Sequence, residues 1–217
     1  GGQQLEYSRG QAMSETIGHY ELLGLLGTGG LGTVYRARDT RVGRTVAVRV
    51  LGDTSADATR REAFIEAVRP FTRISHSHVA TLFEVGEHRD RAYLVYEFVP
   101  GERLGAMVAG HPLNLRRALD LTTQVADGLA EAHAFGLHHG ALTPTSIAVT
   151  PKGHAKILDF GLLAWSSGDT GRHTAARLAE RGTSLGQGAV AYMSPEQVLG
   201  QSVDHRTDVF SLGVILY

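Results

Sequence analysis

Four short stretches of this chain carry residue types and spacings that support chemistry. Gly27-Thr28-Gly29-Gly30-Leu31-Gly32-Thr33-Val34 fits the pattern G-x-G-x-x-G-x-V. Glycines without a Cβ let backbone N–H groups approach phosphate oxygens closely. Alone, the pattern also suits a glycine hairpin with no ligand. A dinucleotide-binding turn would need a helix directly after the last glycine, whereas Thr33-Val34-Tyr35-Arg36-Ala37 reads as strand. In Val46-Ala47-Val48-Arg49, strand alternation puts Ala47 and Arg49 on one face and the valines on the other. The remaining two stretches are His139-Gly140-Ala141-Leu142-Thr143-Pro144-Thr145-Ser146 and Asp159-Phe160-Gly161.

These residues need elements to hold them. From Tyr20 to Leu51, apolar runs broken by Gly and Asp-Thr turns predict three antiparallel strands, near 20–27, 31–38 and 44–51, with a hairpin at Thr40 to Gly43. Ala58 to Ile74 has helical spacing, but Pro70 lies inside it and predicts a kink or an early end. Val79 to Val85 and Ala92 to Val99 read as two more strands, completing a five-stranded sheet with one helix. After Pro100-Gly101 the period changes. Leu115, Ala118, Leu119, Thr122, Val125, Ala126, Leu129, Ala132 and His133 recur at three and four, which predicts a long helix buried on one side. Short strands at Ile147 to Val149 and Ala155 to Leu158, a polar stretch from Trp165 to Gly188 and a helix opening near Arg206 follow. The expected fold class is α+β with two lobes: a flexible segment at 1–19, a β-rich lobe at 20–99 and a mainly helical, incomplete lobe at 100–217.

Composition narrows the function classes. With 217 residues, 42% of them hydrophobic, the chain can bury a core of its own. The absence of cysteine excludes disulfides, zinc–thiolate sites and a cysteine nucleophile. A formal charge of −1 gives no support to a nucleic-acid or membrane-surface partner. No apolar run is long enough to span a bilayer, and residues 1–12 carry no secretion-signal pattern, so the expected location is cytoplasmic. His76, His78, His138 and His139 lack a third ligand at metal-binding spacing.

In this order and at these spacings, the blocks resemble a eukaryotic-type serine/threonine protein kinase domain of the kind found in bacteria, from Tyr20 onward. Tyr192-Met193-Ser194-Pro195-Glu196 stands in the Ala-Pro-Glu position, and Asp208-Val209-Phe210-Ser211-Leu212-Gly213 opens the next helix. The resemblance implies an ATP site formed by Gly27, Gly29, Gly32, Val34, Ala47, Arg49, Glu97 and Val99, with Asp159 as the magnesium ligand. Tyr96 falls at the gate to the back of the adenine slot, with Ala148 beneath the adenine. The chain ends inside the family's first central large-lobe helix, which makes it read as a fragment that exposes apolar surface on its own.

The same resemblance exposes departures. Where the family has a catalytic Asp, a Lys two residues later and a metal-holding Asn, this chain has Ala141, Thr143 and Ser146. No acidic residue lies between Glu131 and Asp159 to replace the base. Arg49 stands for the family's lysine, and the only lysines are Lys152 and Lys156. A planar guanidinium does not reproduce a compact ammonium. An Arg49–Glu66 pair is one way to keep the link between that strand and the helix. Gly140 removes the usual arginine partner of a phosphorylated activation segment, leaving Thr170, Thr174, Thr183 and Ser184 as weak phosphosite candidates, and Ala189 replaces a threonine that seats substrate. No catalytic residue is therefore assigned. Three readings stay open: a pseudokinase that binds ATP and regulates a protein partner, a weakly active serine/threonine kinase, and a scaffold with an empty cleft.

Overall fold

The computed structural model describes residues 15–29, 31–52, 57–163 and 188–217. Two lobes are present. The first is a six-stranded antiparallel sheet of order β1-β2-β3-β4-β6-β5, made of β1 (Thr16–Ile17), β2 (Tyr20–Gly29), β3 (Gly32–Asp39), β4 (Thr45–Val50), β5 (Leu82–His88) and β6 (Arg91–Glu97). The five expected strands are all there, and the two-residue β1 adds a sixth by pairing with Tyr20 and Glu21.

Helix α1 (Ala58–Val68) lies on this sheet, capped by the Asp57 carboxylate accepting from the Arg60 N–H. It stops before Pro70, and the chain continues as a 3-10 turn, Arg69–Arg73. Proline at the start of that turn gives up only an N–H that needs no partner there. Phe64 and Val68, one turn apart, are the buried face of α1 and pack with Leu31, Leu51, Leu82, Leu94 and Tyr96. On the other side of the sheet, Tyr20 and Tyr93 both donate to the Glu84 carboxylate, at 2.7 and 2.6 Å, so the buried phenols are satisfied.

The second lobe opens with β7 (Glu102–Arg103) and α2 (Leu104–Met107) and is organised by α3 (Leu115–Ala134). Asn114 caps α3, and Leu121, Val125, Leu129 and Ala132 form its buried stripe. Strands β8 (Ile147–Val149) and β9 (Ala155–Ile157) join β7 in a three-stranded sheet. Helices α4 (Pro195–Val198) and α5 (His205–Leu216) complete the described elements. The core of this lobe gathers Ile74, Leu121, Leu129, Ile147, Ile157, Phe160 and Leu212. Val198, Leu199, Val209 and Phe210 leave apolar surface exposed on α4, on the residue that follows it and on α5. Among the described residues, no helix is long and apolar enough to cross a membrane.

Candidate functional site

The β2–β3 hairpin, β4, β7 and the 139–146 and 159–163 loops enclose a cleft of about 410 Å³ between the lobes. The hairpin pairs Gly27 with Val34 and Gly29 with Gly32, so the glycine loop is its tip. Gly32 has a local structural reason to be glycine. Its φ is +114°, and a Cβ there would meet the Val50 carbonyl oxygen at 2.0 Å. Gly27, in contrast, has open space where a Cβ would project, and it lines the cleft.

Arg49 enters the cleft from β4, almost fully buried at 6% exposure. Its Nη2 donates to Asp159 Oδ1 at 2.8 Å, forming an ion pair between the lobes. Its Nε is buried with no hydrogen-bond partner. Burial alone would push the Asp159 carboxyl up, but the charges of Arg49 and Arg103 and the hydrogen bond from Arg49 outweigh it and hold the group below the ordinary carboxylate value. Asp159 sits at φ +66°, in the left-handed region that aspartate tolerates better than most residues.

The loop carrying Ala141 is held from beneath. Asp208 on α5, fully buried, accepts from the His139 N–H at 2.8 Å, the Gly140 N–H at 2.7 Å and His133 Nε2 at 2.9 Å. The Gly140 carbonyl oxygen accepts from Gln197 Nε2 at 2.6 Å. His139 Nδ1 accepts from the Ala141 N–H, which leaves the proton on Nε2 to donate to the Leu158 carbonyl oxygen at 2.8 Å. Its ring stands edge-on to Phe160 with centroids 4.9 Å apart. Thr143 and Ser146 are turned on one another. The Ser146 hydroxyl accepts from the Thr143 N–H at 3.0 Å and donates to the Thr143 carbonyl oxygen at 2.9 Å.

A scan of the chain against family models matches the protein kinase domain over residues 20–217. The chain belongs to the protein kinase family. The kinase domain is 38% identical over 208 residues to the serine/threonine-protein kinase PknA of Mycobacterium tuberculosis, a match covering 92% of this chain and 46% of that protein. It is 36% identical over 204 residues to the serine/threonine-protein kinase pkn2 of Myxococcus xanthus, covering 92% of this chain and 24% of the relative. It therefore spans less than half the length of these curated relatives. Among solved structures, the Mycobacterium tuberculosis PknI kinase domain superposes with a TM-score of 0.74 at 23% identity, over 95% of this chain and 76% of that one. The bilobal kinase fold is thereby shown.

Within the kinase domain, Gly27, Gly29, Gly32, Val34, Arg49 and Asp159 line one cleft, together with Ala141, Thr143 and Ser146. Ala47, Glu97 and Val99 lie apart from that lining. Ala47 packs on the sheet–α1 core, and Val99 packs against Ala80, Ala148 and Leu158. The Glu97 carboxylate accepts from Lys156 Nζ at 2.8 Å and from the Thr81 N–H, a tie across the two lobes. The Arg49–Glu66 pair does not form: Glu66 is exposed and bonds Arg69 one turn on, at 2.8 Å. Glu66 is two residues from both Phe64 and Val68, so when those face the sheet the helix period turns it to solvent. His76 pairs with Asp127 at 3.3 Å, and His78 Nδ1 lies 2.9 Å from the Ala155 carbonyl oxygen. The candidate phosphosites Thr170, Thr174, Thr183 and Ser184 lie outside the described residues.

The donor set does not fit a magnesium ion. Asp159 is the only carboxylate in the described lining, and one of its oxygens is taken by Arg49. The Ser146 hydroxyl is spent on Thr143, and no group of three His, Asp or Glu among the described residues is placed to hold a metal. One participant escapes a reading of motifs. Arg103, in β7, lines the cleft near enough for its charge to depress Asp159. Tyr96, at the gate, donates to the Phe160 carbonyl oxygen at 2.7 Å in full burial, pinning the sheet to the Asp159-Phe160-Gly161 turn. Tyr96→Phe is expected to cost about 1–2 kcal/mol by stranding that carbonyl, lowering the melting midpoint by about 2–8 °C. An unchanged midpoint would mean the bond has no net weight.

Proposed function

We propose that this protein uses its kinase domain as a nucleotide-binding regulatory module of bacterial serine/threonine kinase type, impaired in phosphoryl transfer and acting on a protein partner in the cytoplasm. The observation that carries this reading is the chemistry of the cleft floor. Ala141, where the family places its base, has only a methyl group, and the one carboxylate among the described lining residues is paired with Arg49. Loss of a general base costs about 10²- to 10⁴-fold, and loss of the lysine and asparagine positions adds to that. What supports nucleotide binding is the open glycine hairpin above two arginines. A second reading, a weakly active serine/threonine kinase, is favoured by the intact Asp159-Phe160-Gly161 and by relatives that carry the name of such kinases.

The test is transfer from radiolabelled ATP to a serine/threonine peptide library by the full-length protein, with melting followed in parallel at millimolar ATP. Binding at about 100 times Kd adds about 2.7 kcal/mol, so a melting shift of several degrees without measurable transfer is expected. Measurable transfer, at or below the usual kinase range of about 1–100 s⁻¹, would overturn the first reading, and a rate well below that range would establish the second.

A further inference from the structure

The ion pair in the cleft points to how a nucleotide is held. Kinase chemistry brings in the charge that neutralises phosphates as a metal ion. Here a cation is already built into the wall. Arg49, nearly buried, donates to Asp159 Oδ1 at 2.8 Å, and its buried Nε has no hydrogen-bond partner. Arg103 lines the same cleft from the other lobe. Among the described lining residues, two guanidiniums against one carboxylate leave a net positive charge facing the glycine hairpin. A guanidinium has five donors in a planar fork suited to phosphate oxygens, and Arg49 spends one of them on Asp159.

A divalent cation meets the opposite situation. It would have to share Asp159 with Arg49, which already holds one of the two carboxylate oxygens, and sit beside a buried guanidinium charge, and Ser146 is already bonded in both directions. We infer that the cleft takes the polyphosphate of a nucleoside triphosphate without a divalent cation, with Arg49 and Arg103 as the phosphate ligands and Asp159 as the group that positions Arg49. The inference rests on the reading that the cleft binds nucleotide. It differs from that reading in assigning the metal's role to this chain's own side chains and in naming Arg103 as a ligand.

The consequences carry signs that a metal-dependent site cannot share. ATP in EDTA should bind within about threefold of ATP in magnesium, and affinity should fall from ATP to ADP to AMP as phosphates are removed. Arg103→Ala removes one charge-assisted contact and should weaken ATP about tenfold in both buffers. Asp159→Asn removes a negative charge beside the phosphates, so it should leave ATP binding unchanged or tighter. A magnesium-ligand Asp159 would instead give weaker binding in magnesium alone. The experiment is calorimetric titration of the full-length protein and both variants with ATP, ADP and AMP, in EDTA and in magnesium. Circular dichroism checks that the variants are folded, and Arg103→Ala stands as the test if Asp159→Asn does not fold. ATP binding that appears only in magnesium overturns the inference and leaves the nucleotide reading standing. Binding in neither buffer overturns both, and equal binding by wild type and Arg103→Ala removes Arg103 from the site.

Discussion

Asp208→Ala is expected to lower stability by about 4 kcal/mol, since each buried donor left without an acceptor costs about 1–3 kcal/mol. The carboxylate accepts three hydrogen bonds, two from the backbone of His139 and Gly140 and one from His133, and no water reaches it to substitute. In a domain of this size the melting midpoint should drop by about 8–16 °C. The pH dependence separates this role from simple packing. Burial raises the Asp208 carboxyl, but the His133 bond and the two backbone N–H groups overcome that and hold it below its ordinary value of 3.8. The unfolded chain therefore takes up the proton first as pH falls. The carboxylate's stabilisation is complete above the ordinary value and is lost as pH drops through 3.8 toward the lower folded value. Asp208→Asn should accordingly weaken the wild type's acid-induced loss of stability below about pH 4. A midpoint change of under about 2 °C for Asp208→Ala would mean that the 139–141 loop keeps its shape without this anchor.

That anchor bears on what a sequence can disclose. The strands, the long α3 and the order of the motifs were legible because each rests on local rules: alternation, helical period, glycine and proline placement. Pro70 located the end of α1 to within two residues. The partners of charged groups were not legible in the same way. Arg49 and Asp159 are 110 residues apart, and nothing local selects Asp159 over Glu66. What selects it is that Phe64 and Val68 fix the rotation of α1 and turn Glu66 to solvent. The helical period places Glu66 on the solvent side, whereas the family's pattern brings it toward Arg49. Arg103 escaped for a different reason. It sits in a two-residue strand with no motif around it, and only the fold brings it to the cleft.

Restoring the missing groups should restore transfer. In Arg49→Lys combined with Ala141→Asp, Thr143→Lys and Ser146→Asn, phosphoryl transfer is expected to rise by at least about 100-fold, the lower end of what a general base supplies. All four positions line the cleft, so the new groups enter it from the existing backbone. The variant must keep Gly140, although the family has arginine there. Gly140 lies at φ +68°, and a Cβ would meet Leu163 Cδ2 at 2.3 Å, so an added side chain strains the turn and collides with the residue behind it. Ser146→Asn replaces a hydroxyl that both donates to and accepts from the Thr143 backbone, and a carboxamide, which also donates and accepts, can take over that bonding. Thr143→Lys adds bulk at a position only 5% exposed and is the change most expected to reduce stability. Transfer by a folded variant would locate the impairment in the four side chains. A folded variant that still fails would locate it in α1, whose Glu66 faces solvent and leaves the β4 cation without a helix carboxylate.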